Sequence, residues 1–208
     1  MSNSNPFEAE AVQNYSMKCC VALVLDTSGS MAGEPISKLN QGIQDFLGEI
    51  WNDTTDIGQK LEIGVITFDS KVERICEPKF AEFICVPALS AGGDRRMVDG
   101  VREGINMVSQ RKNWYKSTGQ RYYRPWVIMI SSGVPTDDPN NQLTCLAAEI
   151  LEGMEKKHFN FLSISAESSS RVVIHELLGS KATNPAILNL VEFLSFIRVL
   201  FLPKAIGS

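Results

Sequence analysis

Cys19-Cys20-Val21-Ala22-Leu23-Val24-Leu25-Asp26-Thr27-Ser28-Gly29-Ser30 is the stretch on which the reading of this chain turns. An unbroken apolar run, Cys19 to Leu25, stops at a carboxylate. A run with no alternation buries both faces, which is the pattern of an inner strand in a parallel sheet. Beyond it, Asp26, Ser28 and Ser30 place an oxygen-bearing side chain at every second position. Carboxylate and hydroxyl oxygens are hard donors, suited to magnesium, manganese or calcium rather than zinc. Gly29 is expected to give the tight turn that lets all of them face one point. The same residues also suit a polar turn whose side chains cap the next helix. Spacing alone leaves both readings open.

Working outward, the hydrophobic period switches repeatedly between strand and helix. Pro35 suits a first helical turn, and Leu39, Ile43, Phe46, Leu47 and Ile50 follow at helical spacing. Leu61 to Phe68 is a second buried strand. Only Asp69-Ser70-Lys71 separates it from Val72 to Cys76, too short a gap for a crossover, so that third strand is expected to run antiparallel at a sheet edge. Ala91-Gly92-Gly93 marks a loop, after which Met97, Val101, Ile105 and Val108 form a helical stripe.

Trp126 to Ile130 reads as the next strand, ending at Ser131-Ser132-Gly133. Asp137 and Asp138, before Pro139, suit a helix start, with Leu143, Leu146, Ala147, Ile150, Leu151 and Met154 along one face. Phe159 to Ser165 predicts a strand, Val172 to Leu178 a short helix, Ala186 to Leu188 an edge strand and Glu192 to Leu202 a closing helix. Strands alternating with amphipathic helices define an α/β fold: a doubly wound, mostly parallel sheet with one antiparallel edge strand and helices on both faces. Such sheets bind ligands beyond the carboxyl ends of their strands. The loops after Leu25, Ser90 and Ile130 are expected to converge there.

The bulk composition agrees with one such domain. Among 208 residues, 44% are hydrophobic and 21% charged, enough for a packed core. Residues 1–16 read as a frayed arm and residues 17–208 as the domain. A net charge of −4 gives no electrostatic reason to expect nucleic acid or an anionic membrane as partner. Cys19, Cys20, Cys76, Cys85 and Cys145 are odd in number and include no CxxC pair, which argues against a disulfide framework and a structural zinc site. Buried free thiols are the expectation for most of them, with Cys19 and Cys20 on opposite faces of their strand. The start of the chain lacks a basic-then-apolar signal pattern, and no apolar run is long enough for a membrane span, so a cytoplasmic address is expected.

The flanked loop VALVLDTSGSM, the later GVITFDS and the stretch YYRPWVIMISSGVPTDD (Tyr122 to Asp138) together resemble von Willebrand factor A-type domains. More narrowly, they resemble the bacterial TerY-like subgroup, associated with tellurium-resistance and stress gene clusters. The similarity runs from about Met17 onward. It implies a Rossmann-like fold and a protein-interaction module rather than an enzyme. It also implies a metal-ion-dependent adhesion site, in which the first loop gives an aspartate and two serines to a divalent cation. A second loop adds a threonine and a third an aspartate, and the cation keeps an open position for a carboxylate of the partner protein. On this chain the resemblance maps the metal site, with magnesium as the expected ion, onto Asp26, Ser28, Ser30, Asp94 and Ser132.

Two of these loops depart from the family pattern. The threonine position falls on Asp94 or Arg95 within Gly92-Gly93-Asp94-Arg95-Arg96, and the aspartate position has become Ser132. An inward Asp94 restores a second carboxylate, whereas an inward arginine opposes the ion. A positive charge about 5 Å from a dication costs roughly 6–7 kcal/mol at an effective dielectric of about 20, so arginine and metal are near-exclusive. Three readings follow: weak metal binding, an arginine as the fixed positive group, or a relic site with the partner surface elsewhere. Asp137 and Asp138 are read as helix-start residues rather than ligands.

Other chemistries have weaker footing. His158 and His175 accompany no motif, and Ser28 and Ser30 lack the G-x-S-x-G context of a hydrolase nucleophile. A metal-dependent hydrolase built on the Asp26 loop is the alternative from another class. The basic-aromatic stretch Arg111 to Arg124 invites a nucleic-acid reading, set against a helix end and loop whose aromatics pack as a lid.

Overall fold

The computed structural model describes residues 7, 11–12, 14–132, 142–165 and 189–201. Strand β1 (Cys19–Asp26) is buried at every position, as its unbroken apolar run requires. A single 3₁₀ turn over Gly29–Met31 leads to helix α1 (Glu34–Trp51), which opens with Pro35 in its first turn. A short helix α2 (Ile57–Lys60) precedes β2 (Leu61–Phe68), and β3 (Val72–Phe80) folds back on it. Helix α3 (Met97–Thr118), β4 (Trp126–Ser131), α4 (Gln142–Glu155), β5 (Asn160–Ser165) and α5 (Leu190–Phe201) follow.

The strand order is β3-β2-β1-β4-β5. β1 pairs in parallel with both β2 and β4, β5 runs parallel to β4, and β3 is antiparallel to β2 at the edge. The period-2 alternation of β1 divides its side chains between two cores. Cys19, Val21, Leu23 and Leu25 join Leu39 and Ile43 of α1 and Leu190 and Phe193 of α5. Cys20, Ala22 and Val24 join Met97 and Val101 of α3 and Leu146 and Ile150 of α4. With β1 between β2 and β4, the chain winds outward in both directions from the β1–β4 seam. That seam is the switch point where such sheets open a crevice.

Several expectations need correction in detail. β3 reaches Phe80 rather than stopping at Cys76, because the register shifts about Val65 let the strand bend and continue pairing. On α3, Ile105 is only partly buried, and Gly104 and Met107 occupy the sheet-facing stripe instead. Cys19 and Cys20 are buried on opposite faces, but Cys76 is half-buried and Cys85 and Cys145 are exposed. Buried thiols are therefore the minority. The helix start at Asp137 and Asp138, the helix Val172 to Leu178 with His175, and the strand Ala186 to Leu188 lie outside the described residues. No helix among the described residues is long and apolar enough to cross a membrane.

The basic-aromatic stretch is largely structural. Arg111 is buried and bonds Glu62, while Lys112 donates to the carbonyl of His158 at 2.9 Å. Arg124 donates to Asn160 Oδ1 at 3.2 Å, and the Tyr115 and Tyr122 rings stack with centroids 5.2 Å apart. Phe7, in the segment read as an arm, is buried with its ring centroid 4.7 Å from the Arg111 guanidinium carbon.

Candidate functional site

The loops after β1, after β2 and before α3 meet beyond the carboxyl ends of the strands, next to Ser132 at the end of β4. Their backbones are tied to each other before any side chain is considered. Thr27 N–H donates to the Phe68 carbonyl at 2.9 Å and Gly92 N–H to the Thr27 carbonyl at 2.9 Å. Gly29 N–H donates to the Gly93 carbonyl at 3.0 Å, and Arg96 N–H to the Asp69 carbonyl at 3.1 Å. Gly29 does not supply a left-handed turn. Its value is close approach, since a Cβ there would stand 3.2 Å from the Gly93 carbonyl oxygen. Gly93 has both constraints: its φ is +73°, and a Cβ would lie 2.5 Å from Ser70 Oγ.

Asp26 ends β1 with a fully buried carboxylate. Its Oδ1 accepts the Ser28 amide at 2.9 Å, and its Oδ2 accepts a short hydrogen bond from Ser131 Oγ. Ser28 Oγ and Ser30 Oγ stand 3.0 Å apart. None of these side chains caps α1, whose N-cap is Gly33, with no side-chain bond. The helix-capping reading of the loop is therefore set aside.

Arg95 enters this ring of oxygens. Its Nε lies 3.2 Å from Asp26 Oδ2 and donates to Ser28 Oγ at 3.2 Å. Its Nη2 donates to Ser30 Oγ in a short bond and to the Ser132 carbonyl at 2.7 Å. The side chain is only 13% exposed. One guanidinium thus binds the loop after β1, the loop before α3 and the end of β4. Its planar fork of donors suits oxygens arriving from several directions.

Of the residues assigned to a metal site from sequence, Asp26, Ser28, Ser30 and Ser132 are brought together. Ser132 takes part through its carbonyl and by donating from Oγ to the Ser30 carbonyl at 3.4 Å. Asp94 is not among them. It is exposed, with its amide held at 2.9 Å by Ser70 Oγ. Ser131 was not singled out from sequence, although its place at the end of a buried strand beside Asp26 was the available signal.

As arranged, these residues do not fit a divalent cation. Among the described residues Asp26 supplies the one carboxylate of the ring, and a positive group already contacts the oxygens an ion would need. Among the described residues, no group of three or more His, Cys, Asp or Glu side chains is placed to hold a metal.

No family model and no curated protein matches the sequence. Solved structures do share its fold. The von Willebrand factor type A protein from Catenulispora acidiphila superposes with a TM-score of 0.54 at 11% identity, over 89% of this chain and 42% of that one. The ArnB paralog VWA2 from Sulfolobus acidocaldarius gives 0.52 at 16% identity, over 88% and 44%. The pilus adhesin SpaC from Lactobacillus rhamnosus GG gives 0.60 at 14% identity, over 90% and 30%. The chain has a von Willebrand A-like α/β fold, and it spans less than half the length of each of these three structures.

Proposed function

We propose that this chain is a protein-interaction module whose partner contacts the rim formed by the loops after β1 and before α3 and by Ser132 at the end of β4. The observation that carries this reading is the convergence of those loops on Arg95 at the sheet's switch point. Exposed Arg96 and Lys71, each beside a carboxylate of its own (Asp99 and Glu73), flank the rim and favour a partner presenting an acidic side chain. Binding, not turnover, is the role. A buried, fully bonded Asp26 is poorly placed to attack a substrate or activate water.

The expectation of a magnesium-dependent site becomes, in this proposal, one that Arg95 must vacate before any cation enters. The nucleic-acid alternative is disfavoured by the burial of Arg111. From the resemblance to the TerY-like subgroup, the setting we propose is a bacterial stress-response or tellurium-resistance system.

The test is affinity capture from extracts of the source cells, comparing wild type with Ser30→Glu, which places a carboxylate on the rim. Loss of a specific partner in the variant, with the fold intact by circular dichroism, is the expected result. An unchanged set of captured proteins would move the binding surface elsewhere. Turnover of phosphate esters or peptides that disappears in Asp26→Ala would replace this reading with a hydrolase.

A further inference from the structure

We infer that Arg95 is the resident cation of this site: its guanidinium holds the three loops together as a bound ion would, so the site is complete without metal and closed to it. The inference rests on the reading of this rim as the binding site and specifies how that site is kept in shape. Its basis is geometric. The guanidinium reaches Asp26 and Ser28 from Nε, and Ser30 and the Ser132 carbonyl from Nη2. These acceptors come from two separate loops, and Arg95 itself comes from a third.

Charge points the same way. Among the described residues, the guanidinium meets one carboxylate, Asp26, and the two charges offset each other. Ser28, Ser30, Ser131 and Ser132 contribute only uncharged oxygens. Asp94, the nearest further carboxylate in the sequence of that loop, is turned to solvent. A dication added to this cluster would meet a single carboxylate already neutralised and a positive group in contact with its ligands. Removing Arg95 reverses the situation. Asp26 would then be a buried carboxylate among hydroxyls with no counter-charge, and a divalent ion would be the natural replacement.

The experiment uses the full chain, with magnesium and manganese chloride as probes, read by titration calorimetry and thermal unfolding. Wild type is expected to show no saturable metal binding at millimolar concentration and a Tm unmoved by chelator. Arg95→Thr is expected to have a lower Tm, and to gain metal affinity together with a Tm that recovers on adding manganese. Asp26→Asn/Arg95→Thr removes the orphaned charge along with its cation. It should lose less stability than Arg95→Thr and respond to neither metal.

Saturable metal binding by wild type at micromolar concentration overturns the inference, as does an Arg95→Thr variant indifferent to manganese. Should Arg95→Thr fail to fold, the double variant decides. A folded double variant supports the counter-charge role, and failure of both assigns Arg95 to packing alone and overturns it. These readouts need no partner. A metal-binding wild type would sink this inference and leave the capture experiment standing, and the converse also holds.

Discussion

Arg111 grips Glu62 with two nitrogens, Nε to Oε2 at 2.5 Å and Nη2 to Oε1 at 2.9 Å, and both side chains are 2% exposed. Tyr115 donates its hydroxyl to the same carboxylate, and the Trp114 ring lies 4.2 Å from the guanidinium carbon. Glu62 therefore sits near the start of β2 with every route to water closed. Removing one member leaves the other charged and buried, a loss of about 3–5 kcal/mol. Glu62→Gln and Arg111→Met are each expected to lower the unfolding free energy, read from urea titration, by an amount of that size. The Glu62→Gln/Arg111→Met pair should cost clearly less than the two single changes added together. Additive losses would show that the pair is not coupled.

Alkaline pH should destabilise the fold through its buried thiols and a buried phenol. Burial drives the Cys19 thiol up to about 12, with the Glu62 charge adding to it. Burial likewise raises Cys20 and the Tyr115 phenol well above their ordinary values. A group whose folded value is raised binds more protons in the folded state. Its contribution is thus intact below the unfolded value and is lost as pH climbs towards the folded one. For Cys19 that window runs from 9.0 to about 12 and is worth roughly 4 kcal/mol. Lys18 and Lys112, both lowered chiefly by burial, act in the opposite direction up to 10.5, against the raised Cys19, Cys20, Cys76 and Tyr115. Urea midpoints at pH 8, 9, 10 and 11 should fall steadily above 9. A flat profile would show that these groups titrate as they do in the unfolded chain.

Two kinds of helical glycine should respond oppositely to alanine. A Cβ on Gly104 of α3 would stand 2.6 Å from Val24 Cγ2 on the sheet, so Gly104→Ala is expected to lose about 1–3 kcal/mol through overpacking. Gly42, in the middle of α1, has nothing within 4 Å of the corresponding position. Gly42→Ala should gain about 0.5–1 kcal/mol from helix propensity alone. Thermal unfolding of the two variants checks both signs at once.

Thiol chemistry should sort the cysteines by exposure. Cys85 and Cys145 are exposed and should react rapidly with an aromatic disulfide reagent. Cys76 is half-buried with a raised thiol value, burial being the main cause, and should lag behind them. Cys19 and Cys20 should react only on unfolding. Fast labelling of Cys19 or Cys20 under native conditions would show that the β1 core opens.

The alternation of apolar strands and amphipathic helices was legible because burial imposes it directly on residue type. Cys19 to Leu25 reads as an inner strand for the same reason that every residue from Cys19 to Asp26 is buried. The convergence of the Asp26, Gly92 and Ser132 loops followed from topology. The direction of Arg95 did not. Adjacent residues in a loop point differently according to a backbone conformation set elsewhere, here by Gly93 at φ +73° and by Ser70 holding the Asp94 amide. Asp94 and Arg95 were equally placed on the sequence, and only those loop contacts separate them. Arg111 was similarly ambiguous. A basic residue among aromatics suits a nucleic-acid surface or a buried pair, and its partner Glu62 is far away in sequence.

The bend in β3 has a bearing on how anything can join this molecule. An outer strand that is straight and apolar invites another chain to extend the sheet by backbone pairing. β3 instead presents Glu73, Glu77 and Lys79 to solvent, carries Pro78 without an amide hydrogen, and loses even register against β2 between Ile63 and Ile66. Strand addition is obstructed along that flank. On that side of the sheet recognition is left to side chains and loop tips, where a partner is read by shape and charge and not by the generic grammar of the peptide backbone.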